Sequence, residues 1–359
     1  MRQRDEGETS MRALRLHNIA NAPVIDNVDV PVLSPREVLV RVRAAGICGS
    51  DHHIIAGHNP LPEYPRTLGH EIAGEVTALG PGAEGVQVGD RVAVNFLVSC
   101  GTCDYCCTGR TSLCLRREGL GVALDGGLAE YARVPSTNVI RIPDNVPYSH
   151  AAIATDAFAT PLHAIRRSGV RPGDACLVIG AGGLGLSAVQ LLAAMGAGAI
   201  VVLDVDRAAL SAASRNGATE ARTVEELKDL DKSSLPAHHA FDFVGSPETV
   251  AIAIENTRRG GRVNVVGLSD KPIALARGDA LVREEKVIAG SYSFDNAEIR
   301  EVLDLMSQGR IHPDAVIGDR IDLNEAIDVL DPAGNRPRSV GRTVVQLDHT
   351  TQLNTHIPA

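Results

Sequence analysis

The chain has 359 residues, of which 44% are apolar and 22% charged, a composition typical of a globular protein large enough for two domains. Its formal net charge of −9 disfavours nucleic acid and anionic lipid as main partners. No apolar run reaches the roughly 18 residues that a membrane span requires, and the charged residues 1–10 contain no apolar signal segment. We therefore expect a cytoplasmic protein with neither a membrane nor a nucleic-acid partner.

The residues before about 150 have the pattern of short β-strands. Val-rich runs at 38–42 and 91–94 are separated by turns rich in Gly, Pro and Asp. From residue 151 strands alternate with helices, which predicts a parallel sheet with helices on both faces. The expected helices are 151–166, 183–195, 208–216 and 297–308, and the expected strands are 176–179, 200–203, 241–244, 262–266 and 343–347.

This order of elements predicts an α/β protein in which one domain is inserted into another. A β-rich domain would comprise residues 1–157 and 289–359. The inserted domain, residues 158–288, would have the doubly wound parallel sheet of the Rossmann fold.

A glycine-rich turn follows the expected strand 176–179 and opens the next helix. It fits the pattern G-x-G-x-x-G, which lets the backbone approach a pyrophosphate and directs a helix N-terminus at it. An ordinary turn followed by a helix cap is the alternative. The residues expected at the pyrophosphate are Gly180, Gly182, Gly183, Leu184 and Gly185.

Asp204 ends the next expected strand, 19 residues after Gly185. A carboxylate at that position accepts hydrogen bonds from the adenosine ribose hydroxyls. It would repel a 2′-phosphate, so the sequence favours NAD over NADP. Arg207 lies three residues further on and would weaken this preference.

Five of the seven cysteines fall within 15 residues. Four of them have the spacing C-x2-C-x2-C-x7-C, which favours a closed tetrahedral zinc site with a structural role. Cys107 is the spare, and it competes with Cys106 for a place in the cage. Cys176 lies in an apolar strand and is interpreted as a buried thiol. The four expected ligands are Cys100, Cys103, Cys106 and Cys114.

A second group of chemically capable residues is spread along the chain, and here the sequence resembles a known family. Cys48 and the triplet Gly69-His70-Glu71 are followed by Gly74, Gly80 and Ala83 at the signature spacing of medium-chain, zinc-dependent alcohol dehydrogenases. The cysteine cluster and the glycine turn follow in that family's order. The resemblance extends from about Met11 to Leu347 and implies a GroES-like catalytic domain around an inserted Rossmann domain.

The resemblance implies a catalytic zinc. Cys48 and His70 match the first two ligands, and Glu71 matches a residue that supports them from behind and is able to bind the metal transiently. Many members have a cysteine as third ligand, but here Asp156 stands at that position, as in some bacterial members. Aspartate is a competent zinc ligand. The alternative is that Asp156 caps a helix.

The resemblance also implies a proton relay and contacts to the cofactor. Ser50 would touch the substrate oxygen and His53 would reach the nicotinamide ribose, with His52 as the rival. Gly49 replaces an arginine that grips the pyrophosphate in some members, so Arg342 is expected to take over that contact. The positions expected to line the nicotinamide half are Val244, Gly245, Val266 and Gly267.

The expected function is therefore hydride transfer between an alcohol or carbonyl substrate and NAD(H), with one catalytic and one structural zinc per subunit. The closest alternative is a polyol, sugar or amino-alcohol dehydrogenase of the same superfamily; a zinc-free quinone or enoyl reductase is disfavoured by Cys48 with His70. His58 and Asn59 suggest a polar group on the substrate, with the alternative that both face solvent on a mobile loop. A long insertion after Cys114, found in dimeric members, is missing here, which favours a homotetramer.

Overall fold

A computed structural model describes residues 10–228, 237–273, 278–334 and 339–347. These residues form a seven-stranded mainly antiparallel sheet, a six-stranded parallel sheet and two small sheets. No helix in the described part of the chain is long and apolar enough to cross a membrane.

The seven-stranded sheet has the order β10-β6-β5-β3-β18-β17, and β9 also pairs with β3. From Glu37 to Ala44 in β3, intermediate and buried residues alternate, as expected for a strand with one face on the core. Both predicted Val-rich strands are confirmed. The strands of this sheet are β3 (Glu37–Ile47), β5 (Glu71–Leu79), β6 (Arg91–Val94), β9 (Tyr131–Pro135), β10 (Val139–Arg141), β17 (Ile317–Ile321) and β18 (Arg342–Gln346).

The six-stranded sheet has the order β13-β12-β11-β14-β15-β16, and every neighbouring pair is parallel. Five helices lie along the chain between its strands, which confirms the expected Rossmann topology. The strands are β11 (Cys176–Ile179), β12 (Ile200–Leu203), β13 (Glu220–Arg222), β14 (Ala237–Asp242), β15 (Thr257–Val265) and β16 (Val287–Gly290). The helices are α5 (Gly183–Ala194), α6 (Arg207–Arg215), α7 (Val224–Lys228), α8 (Pro247–Glu255) and α9 (Gly278–Arg283).

The remaining elements flank these two sheets. The small strands are β1 (Ser10–Leu16), β2 (Val24–Asp29), β4 (Arg66–Thr67), β7 (Leu97–Val98) and β8 (Glu118–Gly119). The remaining helices are α1 (Gly49–Ile55), α2 (Asp104–Cys107), α3 (Tyr148–Ile153), α4 (Ala159–Ser168), α10 (Asn296–Ser307) and α11 (Glu325–Leu330).

The helix predicted over residues 151–166 is present within a longer helical segment, but its middle is not α-helical. Helices α3 and α4 are joined by a π-helical turn, Ala154–Phe158, with Asp156 at its middle. Pro161 explains the change in pitch, because it lacks an N–H and its ring clashes with the carbonyl four residues earlier, that of Ala157. Single π-turns inside helices occur frequently at functional sites.

Candidate active site

Strand pairing brings distant parts of the sequence together around the end of β3. Gly46 of β3 is opposite Glu71 of β5 on one side and Val344 of β18 on the other. Cys48 follows the end of β3, His70 precedes β5, and Arg342 begins β18. The sheet therefore assembles one site from residues nearly 300 positions apart.

Cys48 starts helix α1 and is held there by Asp51. The Asp51 carboxylate accepts a hydrogen bond of 2.8 Å from the Cys48 N–H, an arrangement that satisfies a free donor of the first turn. Asp51 is fully buried, and its other oxygen lies 3.5 Å from Nδ1 of His70. A carboxylate behind a histidine fixes the ring so that Nε2 is available for a ligand.

Asp156 meets Cys48 and His70 from the π-turn. Its Oδ1 accepts a hydrogen bond of 2.6 Å from the Thr160 hydroxyl. Its Oδ2 lies 3.3 Å from Sγ of Cys48 and 3.9 Å from Nε2 of His70. With Glu71, these residues offer ligand atoms that all lie within 4.8 Å of one another. One sulfur, one imidazole nitrogen and carboxylate oxygens are the donor types of catalytic zinc sites, so the group fits that ion.

Arg342 and Glu71 form the inner wall of this group. The buried Arg342 guanidinium lies 2.9 Å from Oε1 of Glu71 and 3.3 Å from Oδ2 of Asp156. The space for the Glu71 carboxylate exists because residue 46 is glycine: a Cβ there would lie 1.8 Å from Oε2 of Glu71. One arginine thus faces two buried carboxylates and the Cys48 thiol.

The ionisation of these groups reflects the crowding of acids in a buried place. Burial lowers the pKa of His70, but the carboxylates of Asp51 and Asp156 outweigh it and raise that pKa well above its usual value. Burial raises the pKa of Glu71 well above its usual value, and Arg342 only partly opposes this. Burial also opposes ionisation of Asp156, yet His70 and Arg342 hold its pKa well below its usual range. The group therefore favours added positive charge, which a divalent cation supplies.

The four spaced cysteines also converge. Sγ of Cys103 lies 3.5 Å from Cys106 and 3.9 Å from Cys114, and Cys100 lies 3.9 Å from Cys106. A tetrahedral zinc with Zn–S bonds of about 2.3 Å separates its sulfurs by about 3.8 Å. The four thiols therefore fit a closed zinc site. Cys107 is exposed and lies outside the group.

The thiols of this lobe differ in acidity. Hydrogen bonds from backbone N–H groups, chiefly that of Thr102, lower the pKa of Cys100 to about 5. Burial raises the pKa of Cys106 to about 11. The lowered pKa of Cys100 favours its thiolate, which is the form that binds zinc.

The lobe, residues 100–114, is attached to the start of helix α10. The Thr111 hydroxyl and the Ser112 N–H donate to Asp295, the latter at 2.8 Å. Glu298 accepts the Asp295 N–H at 2.9 Å and contacts Nδ1 of His163 in α4 at 2.8 Å. The ligand atoms of His163, Asp295 and Glu298 lie close enough to hold a metal. Each of these residues already has a protein partner, so we interpret the network as a structural link between the lobe and helices α4 and α10.

The glycine turn has the conformation that its motif predicts. Gly180 has φ +90°, and a Cβ on Gly185 would lie 1.8 Å from the Gly180 carbonyl, so the helix packs against the strand end only with glycine there. Asp204 stands at the next strand end and accepts the Ala181 N–H at 2.6 Å. The exposed Arg207 pairs with Glu226 at 3.0 Å.

Arg342 also borders the glycine turn. A Cβ on Gly183, the first residue of α5, would lie 3.2 Å from the Arg342 guanidinium carbon. Gly49, by contrast, has nothing within 4 Å of such a Cβ. Val244, Val266 and Gly267 follow neighbouring strands at the same edge of the sheet.

Helix α1 presents its two faces differently. Asp51, Ile54 and Ile55 are buried, whereas Ser50 and His53 are exposed. The Ser50 hydroxyl lies 3.6 Å from Sγ of Cys48. Residues three apart share a helix face, so Ser50 and His53 lie on one side of α1.

Sequence reasoning missed Asp51, Thr160 and Phe294. Asp51 was detectable, because an acid three residues after a helix start is a capping signal. Phe294 packs at 5.8 Å on Phe96, which in turn lies 5.2 Å from the His70 ring. Phe96 therefore lies beside the proposed metal donors, whereas its partner Phe294 carried no sequence signal.

Comparison with known proteins identifies two matching segments. Residues 34–144 match the family model of the alcohol dehydrogenase GroES-like domain, and residues 183–308 match that of the zinc-binding dehydrogenases. A sorbitol dehydrogenase from Bacillus subtilis is 32% identical over 333 residues, which are 90% of this chain and 94% of that protein.

Solved structures agree over nearly the whole length. A protein from Sinorhizobium meliloti, described as a zinc-binding dehydrogenase bound to NADP, has a TM-score of 0.88 at 28% identity and covers 95% of this chain and 100% of its own. An Escherichia coli protein, described as an alcohol dehydrogenase complexed with NADH, has a TM-score of 0.87 at 29% identity, covering 94% of this chain and 100% of its own.

Proposed function

Because the chain belongs to the zinc-binding alcohol dehydrogenase family, we propose that Cys48, His70 and Asp156 form its active site, where a hydride passes between an alcohol or carbonyl substrate and NAD(H). The chain is an oxidoreductase with zinc and NAD as cofactors. The proposals below concern which residues serve each cofactor and which alcohol is the substrate.

One observation carries the assignment of the site. The buried Arg342 touches the metal-donor group through Glu71 and Asp156, and it also lies against Gly183 at the start of the glycine-turn helix. The donors that suit zinc and the turn that suits a dinucleotide therefore border the same side chain. Hydride transfer requires that proximity of substrate oxygen and nicotinamide.

Cys48, His70 and Asp156 would hold the catalytic ion, with Glu71 beside them. A zinc ion held there would supply a Lewis acid for the substrate oxygen, and bound NAD would supply the hydride acceptor. Asp51 orients His70, and Thr160 occupies one Asp156 oxygen so that the other faces the group. Cys100, Cys103, Cys106 and Cys114 would hold a second, structural zinc.

Ser50 and His53 would carry the proton that alcohol oxidation releases. Ser50 is the hydroxyl next to the proposed ligand Cys48, and His53 lies one turn along the same exposed face of α1. His52 is only partly exposed, whereas His53 is exposed on the face that carries Ser50. This exposure supports His53 as the outer group, and imidazole is a side-chain type suited to proton transfer near neutral pH.

The proposed dinucleotide contacts extend along the carboxyl edge of the parallel sheet. The glycine turn and Arg342 would receive the pyrophosphate, and Asp204 with Arg207 the adenosine ribose. Val244, Val266 and Gly267 would line the nicotinamide half. Ligands of open α/β sheets bind at this edge, which supports the assignment.

A polyol is the second candidate substrate. The Bacillus subtilis relative is named a sorbitol dehydrogenase, and His58, an exposed polar residue, lies with its ring 5.7 Å from that of His53. A polar group on the substrate could bond there. Faster turnover of ethanol than of every larger or polar alcohol would exclude this candidate.

We further propose a cytoplasmic homotetramer. All seven cysteines are free thiols, as a reducing compartment maintains them. Exposed apolar side chains occur in the edge strand β16, in the segments on either side of it and after its neighbour β15, which supports a subunit contact: Leu268, Val282, Val287 and Tyr292. For a tetramer, light scattering should give about four times the chain mass of 37.8 kDa.

We also propose the two-domain division at residues 157/158 and 288/289.

The test of the function combines metal analysis with turnover. The parent chain should contain two zinc ions per subunit and oxidise at least one primary, secondary, aromatic or polyhydroxy alcohol with NAD. Cys48→Ser should lose one zinc and nearly all turnover, whereas Cys176→Ser, at a buried thiol in β11, should keep both. Retained turnover in Cys48→Ser would contradict the proposed site.

A further inference from the structure

Asp242 is a buried carboxylate at the end of strand β14, to which sequence reasoning assigned no role. It has no solvent exposure. Its Oδ1 accepts the backbone N–H groups of Val244 at 2.9 Å and Gly245 at 3.0 Å. Its Oδ2 accepts the hydroxyl of Thr249, in helix α8, at 2.9 Å. The side chain therefore closes the loop that connects β14 to α8.

The backbone of the same residue holds the neighbouring loop. The Asp242 carbonyl accepts the N–H groups of Val266 at 2.9 Å and Gly267 at 3.0 Å, just beyond the end of β15. Asp242 thus accepts four backbone N–H groups, two from the loop after β14 and two from the loop after β15. Both loops lie at the carboxyl edge of the parallel sheet.

These two loops and the glycine turn are packed without spare room. A Cβ on Gly245, which has φ +78°, would lie 2.2 Å from the Gly267 carbonyl oxygen. A Cβ on Gly267 would lie 2.3 Å from the Val244 carbonyl carbon, and one on Gly180 2.9 Å from a Val244 methyl. A shift of the Val244 loop therefore displaces Gly267 and the glycine turn together.

A buried carboxylate at this position lowers the stability of the folded chain. The three groups that donate to it are uncharged, and burial raises the pKa of Asp242 despite them. A buried acid without a cationic partner costs stability. Val244, whose N–H the buried Asp242 carboxylate accepts, is apolar but 45% exposed. It lies at the edge of the sheet where ligands of this fold bind.

We propose that Asp242 is a positioning residue for the nicotinamide half of the cofactor, because it fixes the loops of Val244 and Gly267 against the glycine turn. The inference rests on the proposed cofactor role of those loops. Asp242 does not touch the reacting atoms. Its effect should therefore appear in cofactor affinity rather than in the chemical step.

The test compares NADH binding, followed by nicotinamide fluorescence, in the zinc-loaded parent and four variants. Asp242→Ala should raise the Kd for NADH and the KM for NAD at least about tenfold, with kcat changed less than threefold. Asp242→Asn keeps an acceptor for the two loop N–H groups and should stay within about threefold of the parent. Zinc content should remain unchanged in both.

Asp174→Ala is the matched control, since Asp174 also bonds a loop, at the opposite end of the same sheet. It should leave the Kd for NADH within twofold. If Asp242→Ala does not fold, Thr249→Val decides by an expected rise of about threefold in Kd. It removes the bond to Oδ2 and the hydroxyl contacts to Ser246, and it leaves the bonds from Val244 and Gly245 to Oδ1 in place. The inference is overturned if Asp242→Ala folds and its Kd for NADH is unchanged. If that variant does not fold, an unchanged Kd in Thr249→Val overturns it. A parent chain that does not bind NADH overturns the proposed function as well.

Discussion

Replacing Asp156 tests the most distinctive feature of the site, a carboxylate delivered by a π-helical turn. Asp156→Ala removes the acceptor of the Thr160 hydroxyl and the oxygen that lies 3.3 Å from both Cys48 Sγ and the Arg342 guanidinium. If Asp156 is a zinc ligand, the protein should retain one zinc instead of two and lose nearly all turnover.

The magnitude follows from what the side chain contacts. Residues that only orient metal ligands change metal affinity by about 10–100-fold, so loss of a direct ligand should exceed about 100-fold. Losing a buried hydrogen-bond acceptor costs about 1–3 kcal/mol of the free energy of unfolding. Arg342 keeps Glu71 as partner, which limits the further loss from an unpaired buried charge.

Thr160→Val provides the control on the same helix. It removes the hydrogen bond to Asp156 and leaves the carboxylate in place. We expect it to cost about 0.5–1.5 kcal/mol and to retain two zinc ions. Zinc is measured by elemental analysis, turnover by NADH absorbance, and stability by urea unfolding of zinc-loaded protein.

The alternative that Asp156 only caps a helix predicts a different result. Loss of a cap costs about 1 kcal/mol and leaves the chemistry intact. Asp156→Ala that retains two zinc ions and most of its turnover would therefore refute the ligand assignment. The position of Asp156 inside the continuous helical segment α3–π–α4 is unlike that of a capping residue.

The parent should prefer NAD over NADP by at least about tenfold in kcat/KM, or about 1.4 kcal/mol, because Asp204 would repel a 2′-phosphate. Equal use would show that Arg207 dominates. His53→Gln should slow alcohol oxidation modestly, most at pH below neutrality, with partial rescue by imidazole buffers. If His53→Gln leaves the pH–rate profile unchanged and His52→Gln alters it, His52 is the relay residue instead. Burial opposes ionisation of Glu298, but its bond with His163 lowers its pKa. Its stabilisation is therefore present above about pH 4.3 and lost as pH falls through the lower folded value. Glu298→Gln should flatten the acid limb of stability measured by urea unfolding, and an unchanged slope would contradict this.

Local patterns in the sequence predicted much of the fold and of the chemistry. A Val-rich run bounded by turn residues predicted β3, and strand–helix alternation predicted the parallel sheet, since each depends on neighbours along the chain. The cysteine spacing and the glycine turn are equally local, and both have the geometry that their motifs predict. Cys48, His70 and Asp156 were brought together by resemblance alone.

Only the tertiary structure decided how the distant parts of the site meet. Pairing of β3 with β5 and β18 places Glu71 and Arg342 beside Cys48, and the π-turn before Pro161 turns Asp156 toward them. The double contact of Arg342 with the metal donors and with Gly183 has no counterpart in local spacing. The same holds for Asp242, whose bonds join two loops. Such contacts depend on strand register and buried packing, which a linear pattern does not encode.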